Sequence, residues 1–312
     1  MKAVVMGGDV VRRVYRADTV EKLVALTGET PEFAAFGGTD AEAIFTTWGM
    51  PYCPREKVRE LYPNLKFIFY GAGSVQGFAA PFLAEGVRVF SAWQANGVPV
   101  AEFTVAQIVL CGKRYFDVFT GAKAAPQGNY GLKVGIIGLG TIGKLVCRML
   151  ARYKYEVLAY DKFLPDRVFE ELGVRRASPE EIFAECDVIS NHLANNAQTR
   201  GMLSAALLHS MKPDAYFINT GRGAQVDHGA LYEALCSCPA RTALLDVSEP
   251  EPLPPEHPLR TIKNCIVSPH IAGSLGAEVA RMGEYMCEEY GRITRGEPPL
   301  FEVTPAMLEV MA

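Results

Sequence analysis

The alternation of apolar and polar positions divides the chain into two runs of short apolar strands and helical patterns, joined by one long apolar helix. In the first run, residues 2–99, KAVVMG predicts a strand and VEKLVAL (Val20–Leu26) an amphipathic helix. AEAIFTTWG predicts a strand, VRELYP a helix stopped by Pro63, LKFIFYGAG a strand ending in glycines, and VRVFSAW one more strand. Val100–Thr120 is apolar on one broad face and predicts a long helix, and Ala124–Tyr130 (AAPQGNY) is a natural link. The second run then carries strand candidates at Lys133–Ile137, Tyr155–Tyr160, Asp187–Ser190, Ala215–Asn219, Thr242–Asp246 and Cys265–Ser268. Helical patterns separate them at Lys144–Arg152, Pro179–Glu185, Ser204–Met211 and Gly229–Ser237, while the link SEPEPLPPEHPL is too rich in proline for a regular helix. A final amphipathic helix, Leu275–Arg295, is stopped by Glu297-Pro298-Pro299. Strands alternating with helices predict an α/β fold with mostly parallel sheets. The second run predicts a doubly wound dinucleotide-type sheet, whose ligands bind outside the carboxyl ends of its strands.

At 312 residues, 49% of them hydrophobic and 21% charged, the chain is an ordinary globular sequence, long enough to bury roughly three quarters of its unfolded surface. A formal net charge of −4 without charge blocks points away from nucleic acid. The apolar run in MKAVVMGGDVVRR is too short for a signal peptide, and no stretch reads as a membrane span. Of the eight cysteines only Cys236 and Cys238 lie close together, and C-x-C alone is no metal spacing. A reduced, cytoplasmic protein without disulfides or bound metal is therefore expected.

The chemistry begins at Val134–Lys144, VGIIGLGTIGK. An apolar strand runs into Gly138, Gly140 and Gly143, with Thr141 and Ile142 between the last two, and a helical pattern follows. The first glycine makes the tight turn, the second lets a pyrophosphate approach the backbone, and the third lets helix pack on strand. The helix N-terminus adds free N–H groups and partial positive charge. The next strand ends in Asp161, placed to accept from both hydroxyls of an adenosine ribose and to repel a 2′-phosphate, which favours NAD over NADP.

Every later strand of this run also delivers polar groups at its carboxyl end: Asn191 and His192, then Thr220-Gly221-Arg222-Gly223, then Asp246 with Glu249 and Glu251, then Pro269-His270. Hydride transfer to a carbonyl leaves charge on oxygen and needs a proton donor, for which His270 is suited. Glu251 can bond the other ring nitrogen and fix the tautomer, although Glu249 is as good a candidate on spacing. Arg222 can grip a carboxylate bidentately, or simply pair with Asp227. In the first run, Gly71-Ala72-Gly73-Ser74-Val75 follows an apolar strand and reads equally as an anion-binding turn or a tight βα turn. His209, His228 and His257 read as structural.

The chain resembles the D-isomer-specific 2-hydroxyacid dehydrogenases over nearly its whole length, through VGIIGLGTIG, HLANNAQTRGML, INTGRGAQVD, ALLDVSEPEPLP and SPHIAGS in order. The resemblance implies two doubly wound parallel-sheet domains, a Rossmann cofactor domain (100–296) inserted in a smaller flavodoxin-like substrate domain (1–99 with 297–312), with the active site in the cleft. It implies Arg222, Glu251 rather than Glu249, and His270 as catalytic residues, and Asp246 as a contact of the nicotinamide carboxamide. His192, Leu193, Thr220, Gly221 and Gly273 join the cofactor contacts, and Trp48, Gly73, Ser74 and Val75 the substrate contacts. The implied reaction interconverts a 2-oxo acid and a D-2-hydroxy acid with NAD, in a homodimer formed through the cofactor domain. Ala194 stands where the family usually has proline. Gly71 stands where phosphoglycerate-specific members have arginine, so a substrate with an uncharged side chain is expected. The competing function is an NAD(H)-sensing binding protein like the C-terminal-binding corepressors. Formate dehydrogenases, which have glutamine at the position of Glu251, fit less well.

Overall fold

The computed structural model describes residues 1–308 and divides into two compact units, Met1–Gly97 together with the chain from Ser274 on, and Val98–Gly273. In the first unit β1 (Ala3–Met6), β2 (Glu32–Ala34), β3 (Ala43–Thr46), β4 (Phe67–Tyr70) and β5 (Arg88–Ser91) form a parallel sheet in the order β5-β4-β3-β1-β2. A returning strand, Glu302–Val303, adds antiparallel to β5. Continuous burial of β3 follows from its central place, where both faces are covered. The period of two sorts its residues: Ile44, Ile68 and Val89 face one core, and Phe45, Phe69 and Phe90 the other. The three phenylalanines lie in register on adjacent strands, with ring centroids 4.7 Å and 5.0 Å apart.

The helix Val279–Thr294 belongs to this unit, and this corrects the sequence-based boundary at residue 296. Its Tyr290 meets Phe45 and Phe69 edge-on at 5.5 Å, while Val279, Met282 and Met286 complete the same core. One turn on, the fully buried Glu289 accepts hydrogen bonds from the N–H groups of Leu300 and Phe301 and so fixes the returning strand. Burial raises the pKa of its carboxyl. An acid whose folded pKa exceeds its unfolded value loses stabilising effect as pH rises through that interval. Glu289→Gln keeps an acceptor without the charge, so its melting temperature should exceed that of the wild type at pH 8 and not at pH 4. Glu289→Ala, which orphans two N–H groups, should cost about 1–3 kcal/mol for each in urea unfolding.

In the second unit β6 (Lys133–Ile137), β7 (Glu156–Tyr160), β8 (Arg175–Arg176), β9 (Val188–Asn191), β10 (Tyr216–Asn219), β11 (Thr242–Leu245) and β12 (Cys265–Val267) form one parallel sheet, ordered β12-β11-β10-β9-β6-β7-β8. The strand order reverses between β6 and β9, and that switch point is where a doubly wound sheet opens a ligand crevice. The helix Thr141–Leu150 follows β6 and buries Gly143, Val146, Cys147 and Leu150 against the sheet.

The long apolar helix runs over Trp93–Gly112, not Val100–Thr120; a turn at Arg114, with φ of 56°, breaks the pattern before a short helix at Asp117–Thr120. Length and composition alone would let this helix cross a membrane, but a buried core helix passes the same test. Half of it is buried in protein, with Ala101, Ile108 and Cys111 in the core of the second unit.

Candidate active site

The glycine turn after β6 has the geometry that a dinucleotide pyrophosphate requires. Gly138 has φ of 94°, and a Cβ there would lie 2.8 Å from the His192 carbonyl oxygen. A Cβ on Gly143 would stand 2.0 Å from the carbonyl oxygen of Gly138. A Cβ on the exposed Gly140 would meet nothing within 4 Å, so the approach to that backbone is open. Gly140 caps the helix without any side-chain bond, Thr141 is exposed and Ile142 half-buried, and the Gly140 N–H has no acceptor among the described residues. Asp161, at the end of β7, folds back on this turn. Its carboxylate accepts from Leu139 N–H at 3.0 Å and from the N–H groups of Phe163 and Leu164 at 3.0 and 3.2 Å. These features fit NAD: a bare backbone cradle with a carboxylate beside it.

At the carboxyl end of β9, His192 is buried, hydrogen-bonded through Nε2 to Ser190 Oγ at 2.9 Å, with Nδ1 unpartnered among the described residues. Burial pushes its pKa down to about 3. A histidine held neutral in the fold and protonated when unfolded costs stability as pH falls from about 6.5 toward 3, by about 1.4 kcal/mol per pH unit. His192→Gln should flatten the pH dependence of urea unfolding across that window relative to the wild type. An unchanged slope would show that the ring does not stay neutral. Leu193 beside it is half-buried.

The turn after β10 holds Arg222 with its side chain largely buried, one guanidinium N–H donating to the Gly221 carbonyl at 2.8 Å. Burial lowers its pKa, and the Glu251 carboxylate opposes that shift. Asp227 instead caps the helix His228–Ser237 through Ala230 N–H at 3.0 Å, so the Arg222–Asp227 pair is not formed. The Thr220 hydroxyl meets Thr104 Oγ1 at 3.1 Å in the long helix.

Glu251 Oε1 hydrogen-bonds His270 Nδ1, while Glu249 faces Arg200 at 3.9 Å. His270 is half-exposed and adopts φ of 55°, a left-handed conformation uncommon outside glycine. Asp246 imposes that conformation. Its main-chain carbonyl accepts His270 N–H at 3.0 Å, and its buried carboxylate accepts from Ile271 N–H, Ala272 N–H and Ser268 Oγ at 2.9, 2.8 and 2.5 Å. Reading the sequence missed this service to His270, because the partners lie beyond a proline-rich link. Gly273, half-buried, ends the second unit.

The remaining candidates lie in the first unit. Thr47 Oγ1 donates to the Gly71 carbonyl at 2.7 Å, and Ser91 Oγ bonds those of Ala72 and Gly73 at 3.0 and 2.5 Å. With three successive carbonyls held, the N–H groups of Gly73, Ser74 and Val75 have no acceptor among the described residues. That arrangement suits an anion. Trp48 lines a cavity of about 140 Å³ with Val10, Arg13, Ser274, Leu275 and Val279. Arg13 makes no ion pair among the described residues. A cation therefore stands by this cavity, and only its place in the fold reveals it. A larger groove of about 760 Å³ lies at the amino ends of the same strands, where Lys2 pairs with Asp40 and Lys66 with Glu42.

A doubly wound sheet with a glycine turn at its switch point, and a carboxylate–histidine pair at its strand ends, defines a nicotinamide-nucleotide-binding α/β protein. Residues 115–272, half of the chain, match the family model described as D-isomer specific 2-hydroxyacid dehydrogenase, NAD binding domain. The glyoxylate reductase of Korarchaeum cryptofilum is 36% identical over 170 residues, which are 54% of this chain and 51% of that protein. That of Thermofilum pendens is 30% identical over 275 residues, 81% and 79% of the two chains. This chain thus spans about half the length of the first relative and most of the second. The NAD-complexed D-isomer specific 2-hydroxyacid dehydrogenase of Lactobacillus delbrueckii ssp. bulgaricus has the same fold, with a TM-score of 0.77 at 22% identity over 97% of this chain and 100% of that one. The chain belongs to the D-isomer-specific 2-hydroxyacid dehydrogenase family and carries its NAD-binding domain.

Proposed function

We propose that this protein reduces a 2-oxo acid to the D-2-hydroxy acid with NADH and catalyses the reverse oxidation. The carrying observation is the hydrogen bond between Glu251 and His270 Nδ1, on a histidine held in a left-handed turn. When bound, the nicotinamide supplies hydride to the carbonyl carbon. With Nδ1 engaged by Glu251, Nε2 of the protonated ring is free to donate to the carbonyl oxygen as charge grows there, and the carboxylate stabilises the imidazolium before transfer. In the oxidation the neutral ring takes the hydroxyl proton at the same atom. Arg222 binds the substrate carboxylate and polarises the carbonyl. The Gly73, Ser74 and Val75 amides receive an anionic group of the substrate, and Trp48 contacts its side chain.

The first unit serves as substrate domain and the second as cofactor domain. A homodimer through the second unit is supported by its exposed apolar side chains Tyr115, Val118 and Phe119. All eight cysteines are free, which supports a reducing, cytoplasmic setting.

The test is NADH oxidation followed with glyoxylate, hydroxypyruvate, pyruvate, phenylpyruvate, branched-chain 2-oxo acids, 3-phosphohydroxypyruvate and, because of Arg13, oxaloacetate. Turnover of at least one is expected. NADH binding without turnover of any would overturn the reading.

A further inference from the structure

Behind the Arg222 turn lie three side-chain amides, Asn191, Asn219 and Gln225, each fully buried. Asn191 ends β9, Asn219 ends β10, and Gln225 closes the short 3-10 turn Gly223–Gln225. Asn191 Nδ2 donates to Asn219 Oδ1 at 3.0 Å and to Gln225 Oε1 at 2.6 Å. The amides then close on main chain in two directions. Toward Arg222, Asn219 Oδ1 accepts Gly221 N–H at 3.1 Å, Asn219 Nδ2 donates to the Arg222 carbonyl at 3.1 Å, and Gln225 Oε1 accepts Arg222 N–H at 3.2 Å. Toward the end of β9, Gln225 Nε2 donates to the carbonyls of Leu193 and Ala194 at 2.7 and 2.9 Å, and Asn191 Oδ1 accepts Leu193 N–H at 3.2 Å.

A network this dry is costly unless it is satisfied, and apolar side chains would fill the same space without desolvating any polar group. What the amides add is direction. They fix the main chain of Gly221 and Arg222 on one side and of Leu193 and Ala194 on the other. The second loop abuts the glycine turn, where a Cβ on Gly138 would lie 2.9 Å from Leu193 N. Gly221 completes the arrangement, since a Cβ there would come within 2.9 Å of Asn191 Nδ2.

We propose that Asn191, Asn219 and Gln225 are positioning residues that lock the Arg222 turn in register with the loop beside the glycine turn, so that Arg222 is aimed before substrate arrives. This rests on the assignment of Arg222 to the substrate carboxylate. The amides touch neither substrate nor cofactor; they act through the main chain of the residues that do.

The experiment compares wild type, Gln225→Leu and the double variant Asn191→Leu with Gln225→Leu. Gln225→Leu removes one of the two acceptors of Asn191 Nδ2, strands Arg222 N–H and the carbonyls of Leu193 and Ala194, and should melt lower. The double variant also orphans Leu193 N–H and should melt no higher than Gln225→Leu. Each variant should also show a KM for glyoxylate raised about tenfold to a hundredfold, with a smaller fall in kcat, because the misaimed group chiefly binds the carboxylate and only assists the carbonyl. Phenylglyoxal modification of Arg222, read by peptide mass spectrometry, should be several-fold faster in both variants. A double variant with wild-type KM and wild-type Arg222 reactivity would overturn the proposal and leave the amides as core filling. If the wild type reduces no 2-oxo acid, the functional reading fails, and the Arg222 modification rate alone still decides the positioning claim. Gln225→Met, a smaller change read by the same rate, decides it if the double variant does not fold.

Discussion

His270→Asn should lower kcat for 2-oxo acid reduction by about 10²–10⁴, the usual worth of a positioned general acid, while NADH binding stays within a factor of about two. Asparagine is the substitution of choice because it tolerates the φ of 55° that Asp246 imposes on this turn, so loss of activity reports the lost proton and not a collapsed loop. Initial rates with saturating NADH measure the first quantity, and nicotinamide fluorescence titration the second. Near-normal turnover in a folded His270→Asn protein would remove this histidine from the mechanism. Glu251→Gln should lose less than His270→Asn, since an amide oxygen can still accept from Nδ1–H but cannot stabilise the imidazolium with charge.

Gly143→Ala should weaken NADH binding by about tenfold to a hundredfold, the 1–3 kcal/mol of overpacking converted at 1.4 kcal/mol per decade. The added methyl would stand 2.0 Å from the Gly138 carbonyl oxygen, and a main-chain atom cannot rotate away as a side chain can. Relief requires the helix Thr141–Leu150 to move off the turn, which separates its N-terminal N–H groups from the pyrophosphate. Gly140→Ala is the control, because a Cβ there meets no protein atom within 4 Å and interferes only with bound ligand. It should lose NADH affinity at an unchanged melting temperature, whereas Gly143→Ala should lose both. Equal melting temperatures for the two variants would contradict the packing role of Gly143.

Much of this was legible from the sequence because the relevant signals are local. The strands of the second unit are continuous apolar runs and are found within a residue or two, and Pro179–Glu185 matches its expected bounds. Three strands left no signal. Glu32–Ala34, Arg175–Arg176 and Glu302–Val303 are short, lie at sheet edges and carry charged residues, so pairing defines them and not pattern. The helix Val279–Thr294 was found but given to the wrong unit, since its amphipathic face says that it packs and not upon what. The candidate site shows the same division. His270 could be singled out by residue type at a strand end and Glu251 only through the family resemblance, but the buried amides and the clamp of Asp246 on the His270 turn join residues that only tertiary structure brings together. Arg13 was invisible for a related reason: an arginine in a four-residue helix after β1 looks like any solvated charge until a cavity wall forms beside it.

The strand Glu302–Val303 has a consequence for how the protein comes into being. On the ribosome, residues 98–273 emerge as an uninterrupted stretch and hold every strand of their own sheet. The first sheet, by contrast, waits for a strand encoded some two hundred residues after β5, and for Glu289 to fasten it. Nascent chains should therefore pass through a stage in which the nucleotide-binding half is folded while β5 is still an unpaired edge, open to pairing with a neighbouring chain. Chaperone dependence during synthesis, if there is any, would be set by the first-emerging residues rather than by the larger and later unit.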